Sequence, residues 1–313
     1  MITCVELHTK LSMKKMNTRK HPTYELREYS NADELWDALS PTKKIDPNCI
    51  DNIIYRGQGD ADWSLIPSAL RHPPQYLTRR TAPTSDDIVA SEIITLMSFV
   101  HHCDRVGVRI PGDSPDFRRS HLDISYQDYW LINPSSWPNP EVFDVMALAQ
   151  HHSVPTRLLD WTRIPYIAIY FAVSSCIANH ENWTATSKLA IWAFNKACIN
   201  LHPRIRLHSA AGSISPHLAA QYGLFSVHPH TGGRGKPAII NSLDELSEDY
   251  QHPVFFKYTL PIKEVPKAYQ LLNKAGFSAA SIYPSADGAG KAIHDEINHD
   301  KARNKLVELE INL

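Results

Sequence analysis

The chain has 313 residues and a formal net charge of −1. That is long enough to bury a continuous core and lacks the strongly basic balance of non-specific nucleic-acid binders. Charged residues at 21% and hydrophobic ones at 43% match ordinary soluble globular proteins. The five cysteines, Cys4, Cys49, Cys103, Cys176 and Cys198, include no pair at CxxC spacing, which argues against a disulfide framework or a thiolate zinc site and for a reducing, cytoplasmic setting.

Residues 1–30 read as a polar, basic lead-in. Its start has no apolar h-region and so no secretory signal. "NADELWDAL" opens with Asn31 and carries Glu34 three positions later, a capping box that predicts a short helix. "NIIYRGQGDADW" predicts a strand over 53–56 that breaks into a turn at Gly57 and Gly59. From Asp86 to Val106 the apolar spacing predicts a long amphipathic helix closed by Arg105 and Gly107. Residues 107–140, with Pro111, Pro115, Pro134, Pro138 and Pro140, read as a long ordered loop or insertion, a candidate lid.

"EVFDVMALAQHH" predicts a helix with Val142, Val145, Met146 and Ala149 on one face, and "TRLLDWT" a strand. "IPYIAIYFAVSSCIA" predicts a helix with Pro165 in its first turn. Its apolar run of about fourteen residues is too short to span a bilayer. "KLAIWAF" and "VFFKYTL" read as strands, and the Gly-, Pro- and His-rich stretch between them as half loop. "KEVPKAYQLLNKAG" predicts a helix, "FSAASIYP" a strand, "GAGKAIHDEI" a last helix and "KLVELEIN" an edge strand. Strands and helices that do not strictly alternate predict an α+β fold: a mixed or antiparallel central sheet flanked by helices, within a single domain over 31–313.

The window "LAQHHSVPTRLLDWT", residues 148–162, sets His151, His152, Thr156, Arg157, Asp160 and Thr162 between apolar residues. Successive strand residues face opposite sides, so Asp160 and Thr162 share a face while Arg157 looks the other way. Glu92, set among Ile93, Ile94 and Met97, needs a partner if buried, and Arg56, Arg71 and Arg157 are the candidates. An arginine beside glycines can present its fork to a phosphate or carboxylate, which makes Arg56 the first candidate for a ligand. The same Arg56 could instead pair with Asp160 as a buried strut between strands. Trp63, Trp161 and Tyr55 read first as core or rim packing and second as stacking platforms. His151 and His152 point in different directions on a helix, so both cannot easily bind one ion, and no HExxH or tight acidic cluster supports a metal.

Five blocks, "YRGQGDADWSLIPSALR" (55–71), "SEIITLMSF" (91–99), "LAQHHSVPTRLLDWTRIPYIAIYFAV" (148–173), "AAQYGLFSVHP" (219–229) and "AGFSAASIYPSADGAGKAI" (275–293), resemble the FRG domain family. The family takes its name from an aromatic–Arg–Gly motif, here Tyr55-Arg56-Gly57. One departure stands out: the family tends to "FPDLDG" where this chain reads "YPSADG", so Ser285 replaces the first acid and Asp287 remains. The order of motifs is also similar to the arginine–serine–glutamate class of ADP-ribosyltransferases, which implies an ADP-ribosyltransferase-like fold. It further implies NAD as co-substrate, cleaved by an ADP-ribosyltransferase or NAD glycohydrolase, with a nucleic-acid or protein acceptor.

Such an enzyme would serve as a bacterial toxin or phage-defence effector. The resemblance assigns Arg56, Asp160, Thr162, Glu92 and Gln221 to the chemistry, and Arg56, Gln58, Trp63, His151, Thr156, Arg157 and Asp287 to the cofactor. Gln221 falls where the class carries a carboxylate, and an amide cannot supply that charge, so the acid must come from Asp160, Asp287 or Glu92. The alternatives are a nucleotide or nucleic-acid binding module without chemistry, and a nucleic-acid-processing enzyme. No metal and no membrane are implied.

Overall fold

The computed structural model describes residues 17–47, 50, 52–71, 83–123, 125, 128–197, 205–210, 220–247 and 253–311. Its centre is an eight-stranded sheet: β1 (Asn17–Lys20), β2 (Glu25–Glu28), β3 (Ile53–Gln58), β4 (Leu158–Thr162), β5 (Lys188–Asn195), β6 (Arg206–His208), β7 (Gly223–Val227) and β8 (Phe255–Pro261). The order across it is β1-β2-β8-β5-β3-β4-β7-β6. Only β2 and β8 run parallel, so the sheet is mixed. Helices of seven or more residues are α1 (Ala32–Ala38), α2 (Ser85–Val106), α3 (Phe143–His151), α4 (Pro165–Ala178), α5 (Val265–Lys274) and α6 (Ala286–Glu308). The α+β expectation holds. Residues 17–20 and 25–28, expected within a polar lead-in, are instead strands of this sheet.

Period-two alternation divides the strands' side chains between two faces. Tyr55, Ile191, Ala193, Phe256 and Tyr258 meet α1, α4 and α5 in one core. Ile54, Trp161, Trp192, Phe194 and Phe255 face the other way, against Leu65, Leu243 and Leu246. A separate core forms where α2 and α3 pack on Leu158, Phe225 and Val227. The proline-rich stretch belongs to it: Ile110, Phe117, Leu122, Trp137 and Val142 are all buried there. This stretch coils into short helical turns, Pro115–Phe117, Arg118–Leu122, Asp128–Ile132, Pro134–Ser136 and Pro140–Val142. It is a wall of that core, and the expectation of a lid is not met.

Three further expectations change. β3 does not break at Gly57 but continues to Gln58, because Gly57 and Gln58 still pair with Ile191 and Ala190 of β5. "FSAASIYP" holds a short helix, Ala279–Ile282, at whose start the Ser281 hydroxyl accepts from the Ser278 amide, which outweighs its strand-like composition. The "KLVELEIN" edge strand is absent. α6 runs on to Glu308, with Asp295, His299, Ala302 and Leu306 keeping helical spacing on its buried side. Elsewhere the local signals perform as read. Asn31 accepts from the Glu34 amide, Thr84 and Asp87 cap α2 reciprocally, and Gly107 closes it in a left-handed conformation.

Gly57 also sets how close α4 lies to the sheet. A Cβ there would stand 2.0 Å from the Ala168 carbonyl oxygen and 2.5 Å from the Ala172 nitrogen, both rigid backbone. Gly57→Ala is therefore expected to destabilise the fold by roughly 2–3 kcal/mol through overpacking, read as a lower urea midpoint at unchanged slope. An unaltered midpoint would mean that α4 can shift freely off β3.

Candidate functional site

β3 pairs with β5 over six positions but with β4 at one, Tyr55↔Thr162. Past that pair the two strands splay, and a cleft of about 440 Å³ opens between them. Tyr55 to Gln58 of β3 and Asp160 to Thr162 of β4 form its floor. Phe171 and Ser175 of α4, with Tyr283 and Lys291, wall one side. Gln150, His151 and Ser153 at the end of α3 wall the other, Gln221 and Gly223 border it, and Trp63, Ile66 and Arg71 close the rim. Ser153 and Tyr222 hold left-handed backbone, φ 63° and 48°, a strain of roughly 1–3 kcal/mol each for a non-glycine residue on two loops beside the cleft.

Among the described residues the charged lining is Arg56, Arg71 and Lys291 against one carboxylate, Asp160. Arg56 Nη1 donates to the Asp160 carbonyl oxygen at 2.9 Å. The Asp160 carboxylate stands farther off, its Oδ2 at 3.6 Å from the same nitrogen, too long for a hydrogen bond. The side chains are 18% and 62% exposed, so this is an open pair and not a sealed strut. Arg56 Nε has no partner among the described residues. Burial pushes the guanidinium below its ordinary value, Asp160 offsets part of this and Arg71 adds to it. Burial, reinforced by Asp160 and Asp295, pushes the Tyr283 phenol up to about 12, so it stays protonated at neutral pH. A positive, partly desolvated cleft of this kind favours an anion, and the donors left on Arg56 suit phosphate oxygens.

Arg56, Gln58, Trp63, His151, Asp160, Thr162 and Gln221 thus come together as expected, though not all with free groups. The Thr162 hydroxyl donates to the Gln221 carbonyl at 2.7 Å and accepts from the Ile164 amide, so it secures the β4–α4 turn. Gln58 is spent similarly, bonding the Ser64 carbonyl and the Trp192 indole. Trp63 is 40% exposed, at the rim.

Four expected residues lie elsewhere. Glu92 and Arg157 form a bidentate buried pair, Nε to Oε2 at 2.7 Å and Nη2 to Oε1 at 2.8 Å, and Trp137 Nε1 adds a third bond at 2.6 Å. Strand alternation turns Arg157 away from Asp160, which is why neither partner reaches the cleft. Thr156 is buried behind the cleft, bonded to Gln150. Asp287 is exposed in the first turn of α6, where Ser285, standing in place of an acid, caps the helix by accepting from the Gly288 amide.

Sequence reasoning passed over Gln150, Tyr283 and Lys291, and kept Arg71 only as a partner for Glu92. All but Arg71 sit inside long-range walls that no local pattern marks, although every one falls within a block that carried the family resemblance. Among the described residues, no group of three or more His, Cys, Asp and Glu could hold a metal ion, and no helix is long and apolar enough to cross a membrane.

Two measurements check the buried pair. Glu92→Gln removes a charge that Arg157 requires, and is expected to cost about 3–5 kcal/mol of stability; unchanged stability together with lost ligand binding would return Glu92 to the cleft. Beside Arg157, His228 and His230 are buried, and their pKa values fall to about 4 and about 3, through burial first and Arg157 second. The unfolded imidazoles, titrating near 6.5, take up protons that the folded ones refuse. Stability is therefore expected to be unaffected above about pH 7 and to fall as pH drops from about 6.5 towards 4. Each histidine steepens that fall by up to about 1.4 kcal/mol per pH unit. A denaturation series across that range that stays equally flat in wild type and in His228→Gln/His230→Gln would contradict this.

No curated protein and no solved structure matches the chain. The family model of the FRG domain matches residues 51–181, a span that contains Arg56, both strands of the splay, Gln150 and the α4 wall. The cleft lies largely within the matched span.

Proposed function

We propose that the cleft binds a phosphate-bearing nucleotide, with NAD as its substrate, and breaks the bond between ribose and nicotinamide. The observation that carries this reading is Arg56: a guanidinium lodged in the splay whose one hydrogen bond among the described residues goes to a backbone carbonyl, beside the one carboxylate that those residues place in the cleft lining. Arg56 and Arg71 would receive the pyrophosphate. Trp63 at the rim and Phe171 on the wall offer aromatic faces for the rings. Asp160 Oδ2, open to the cleft, would accept from a ribose hydroxyl and stand as a fixed negative charge near the oxocarbenium ion. As the C–N bond breaks, its electron pair leaves with nicotinamide. Water or an acceptor nucleophile then attacks the sugar carbon and gives up its proton.

In this assignment Asp160 takes the part that the family pattern gives to a later carboxylate. Gln221 contributes its backbone carbonyl to Thr162, and neither becomes a reacting group. A bacterial toxin or phage-defence effector is the role that such chemistry would serve, with a nucleic acid or protein as acceptor. A second reading, binding without turnover, is favoured by one observation: the carboxylate that would face the sugar is a single Asp and the neighbouring position is the amide Gln221.

The test is cleavage of a fluorescent NAD analogue, run beside thermal shift with NAD, ADP-ribose and ADP. NAD is expected to raise the melting temperature of the wild type. Arg56→Ala is expected to weaken binding about tenfold or more, the loss of a charge-assisted pair, and Arg56→Lys to restore only part of it. Asp160→Asn is expected to abolish turnover while binding persists. Nucleotide binding with no cleavage in any preparation would select the second reading, and no response to any nucleotide would remove both.

A further inference from the structure

Among the described residues Asp160 is the one carboxylate that lines the cleft, yet its side chain is 62% exposed and its contact with Arg56 is loose. On a strand, such a short acid has two common rotamers and would be free to turn from the cleft. What holds it is a relay behind the cleft. The Thr156 hydroxyl accepts from the Leu158 amide at 3.2 Å. Its one proton then goes to Gln150 Oε1. That fixes the amide of Gln150: the oxygen faces Thr156, and Nε2 points outward to Asp160 Oδ1 at 2.7 Å. The reverse orientation would set the amide oxygen against the carboxylate, acceptor against acceptor, so the network admits one arrangement. Thr156 is 3% exposed and bound to the backbone at the entry to β4, so the relay is anchored at its far end.

We infer that Gln150, oriented by Thr156, is a positioning residue that occupies Asp160 Oδ1 and thereby aims Oδ2 into the cleft to read a sugar hydroxyl. This rests on the nucleotide reading of the cleft. Gln150 stands in the cleft wall with its amide engaged on both sides, by Thr156 and by Asp160, so the relay sets selectivity for a hydroxyl-bearing sugar next to a bound phosphate rather than affinity for the phosphate. Arg56 supplies that affinity, and its hydrogen bond to the Asp160 carbonyl does not involve Gln150.

The two effects separate in calorimetry with ADP-ribose, which carries a terminal ribose, and ADP, which lacks it. Wild type is expected to prefer ADP-ribose by about tenfold, the discrimination of a charge-assisted hydrogen bond. Gln150→Ala is expected to cut that preference to about twofold or less while leaving ADP affinity within about twofold. Thr156→Val is expected to do the same, Thr156→Ser to restore the preference, and the double variant Gln150→Ala/Thr156→Val to equal either single one.

A preference that survives in Gln150→Ala, with wild type binding both nucleotides, overturns the inference and leaves the cleft's reading intact. Equal loss of ADP and ADP-ribose binding in Gln150→Ala also overturns it, since that is what a merely structural side chain would give. Binding of neither nucleotide by wild type removes the inference together with the reading. If Thr156→Val fails to fold, the pair Gln150→Ala and Thr156→Ser decides alone.

Discussion

Two arginine–carboxylate pairs flank β4, Arg157 with Glu92 at its entry and Arg56 with Asp160 along it, and their different solvation organises the rest of the molecule. On one side Arg157 and Glu92 are sealed from water, with both carboxylate oxygens and two of the guanidinium nitrogens engaged in the pair. A desolvated pair survives only when it is satisfied this fully. It ties α2 to the start of β4 and brings Trp137 in with it. On the other side Arg56 and Asp160 are near but not closed on each other. Among the described residues Arg56 makes one hydrogen bond and Asp160 Oδ2 makes none, and the two are separated enough for a guest to bond to both. The same residue types are structural on one face and available on the other because water reaches only one of them.

How these pairs divide was largely readable from the chain. Strand alternation placed Arg157 opposite Asp160, and the need of a buried acid for a partner placed Glu92 with an arginine. Which arginine it would be was not readable, because α2 and β4 are brought together by packing between residues 65 positions apart. The hydroxyl of Thr162 could be placed on the cleft face by parity. That it would be consumed by the Gln221 carbonyl depends on the β7 turn, which no spacing rule specifies. Gln150 was hidden for a different reason. It ends a helix whose other residues are nearly all buried, and only the three-dimensional return of the chain through Thr156 gives its amide something to do.

The fold was legible where capping chemistry and periodicity agree, as at α2, whose start, stop and apolar stripe all carry signals. It was illegible where they compete. Phe277, Ile282 and Tyr283 suit a strand, but Ser281 accepts from the Ser278 amide and turns Ala279–Ile282 into a short helix. The end of α6 alternates weakly enough to suggest a strand, and the longer register of Asp295, His299, Ala302 and Leu306 overrules it. Within 107–140 the prolines mark breaks between short turns, and the burial of Trp137 and Phe117 shows that those breaks lie on a packed surface.

The lone rung between β3 and β4 has a mechanical consequence. A β-sheet resists prying because many backbone bonds must give way in concert along a seam. Here the seam holds one rung, so the leaf of β4, β7 and β6 is moored to the larger leaf chiefly by side chains and by α4. A bulky guest entering the splay works against that upholstery and leaves each leaf's own ladder unbroken. The girth that the cleft admits is thus governed by wall side chains such as Phe171 and Tyr283, while the frame on either side stays stiff.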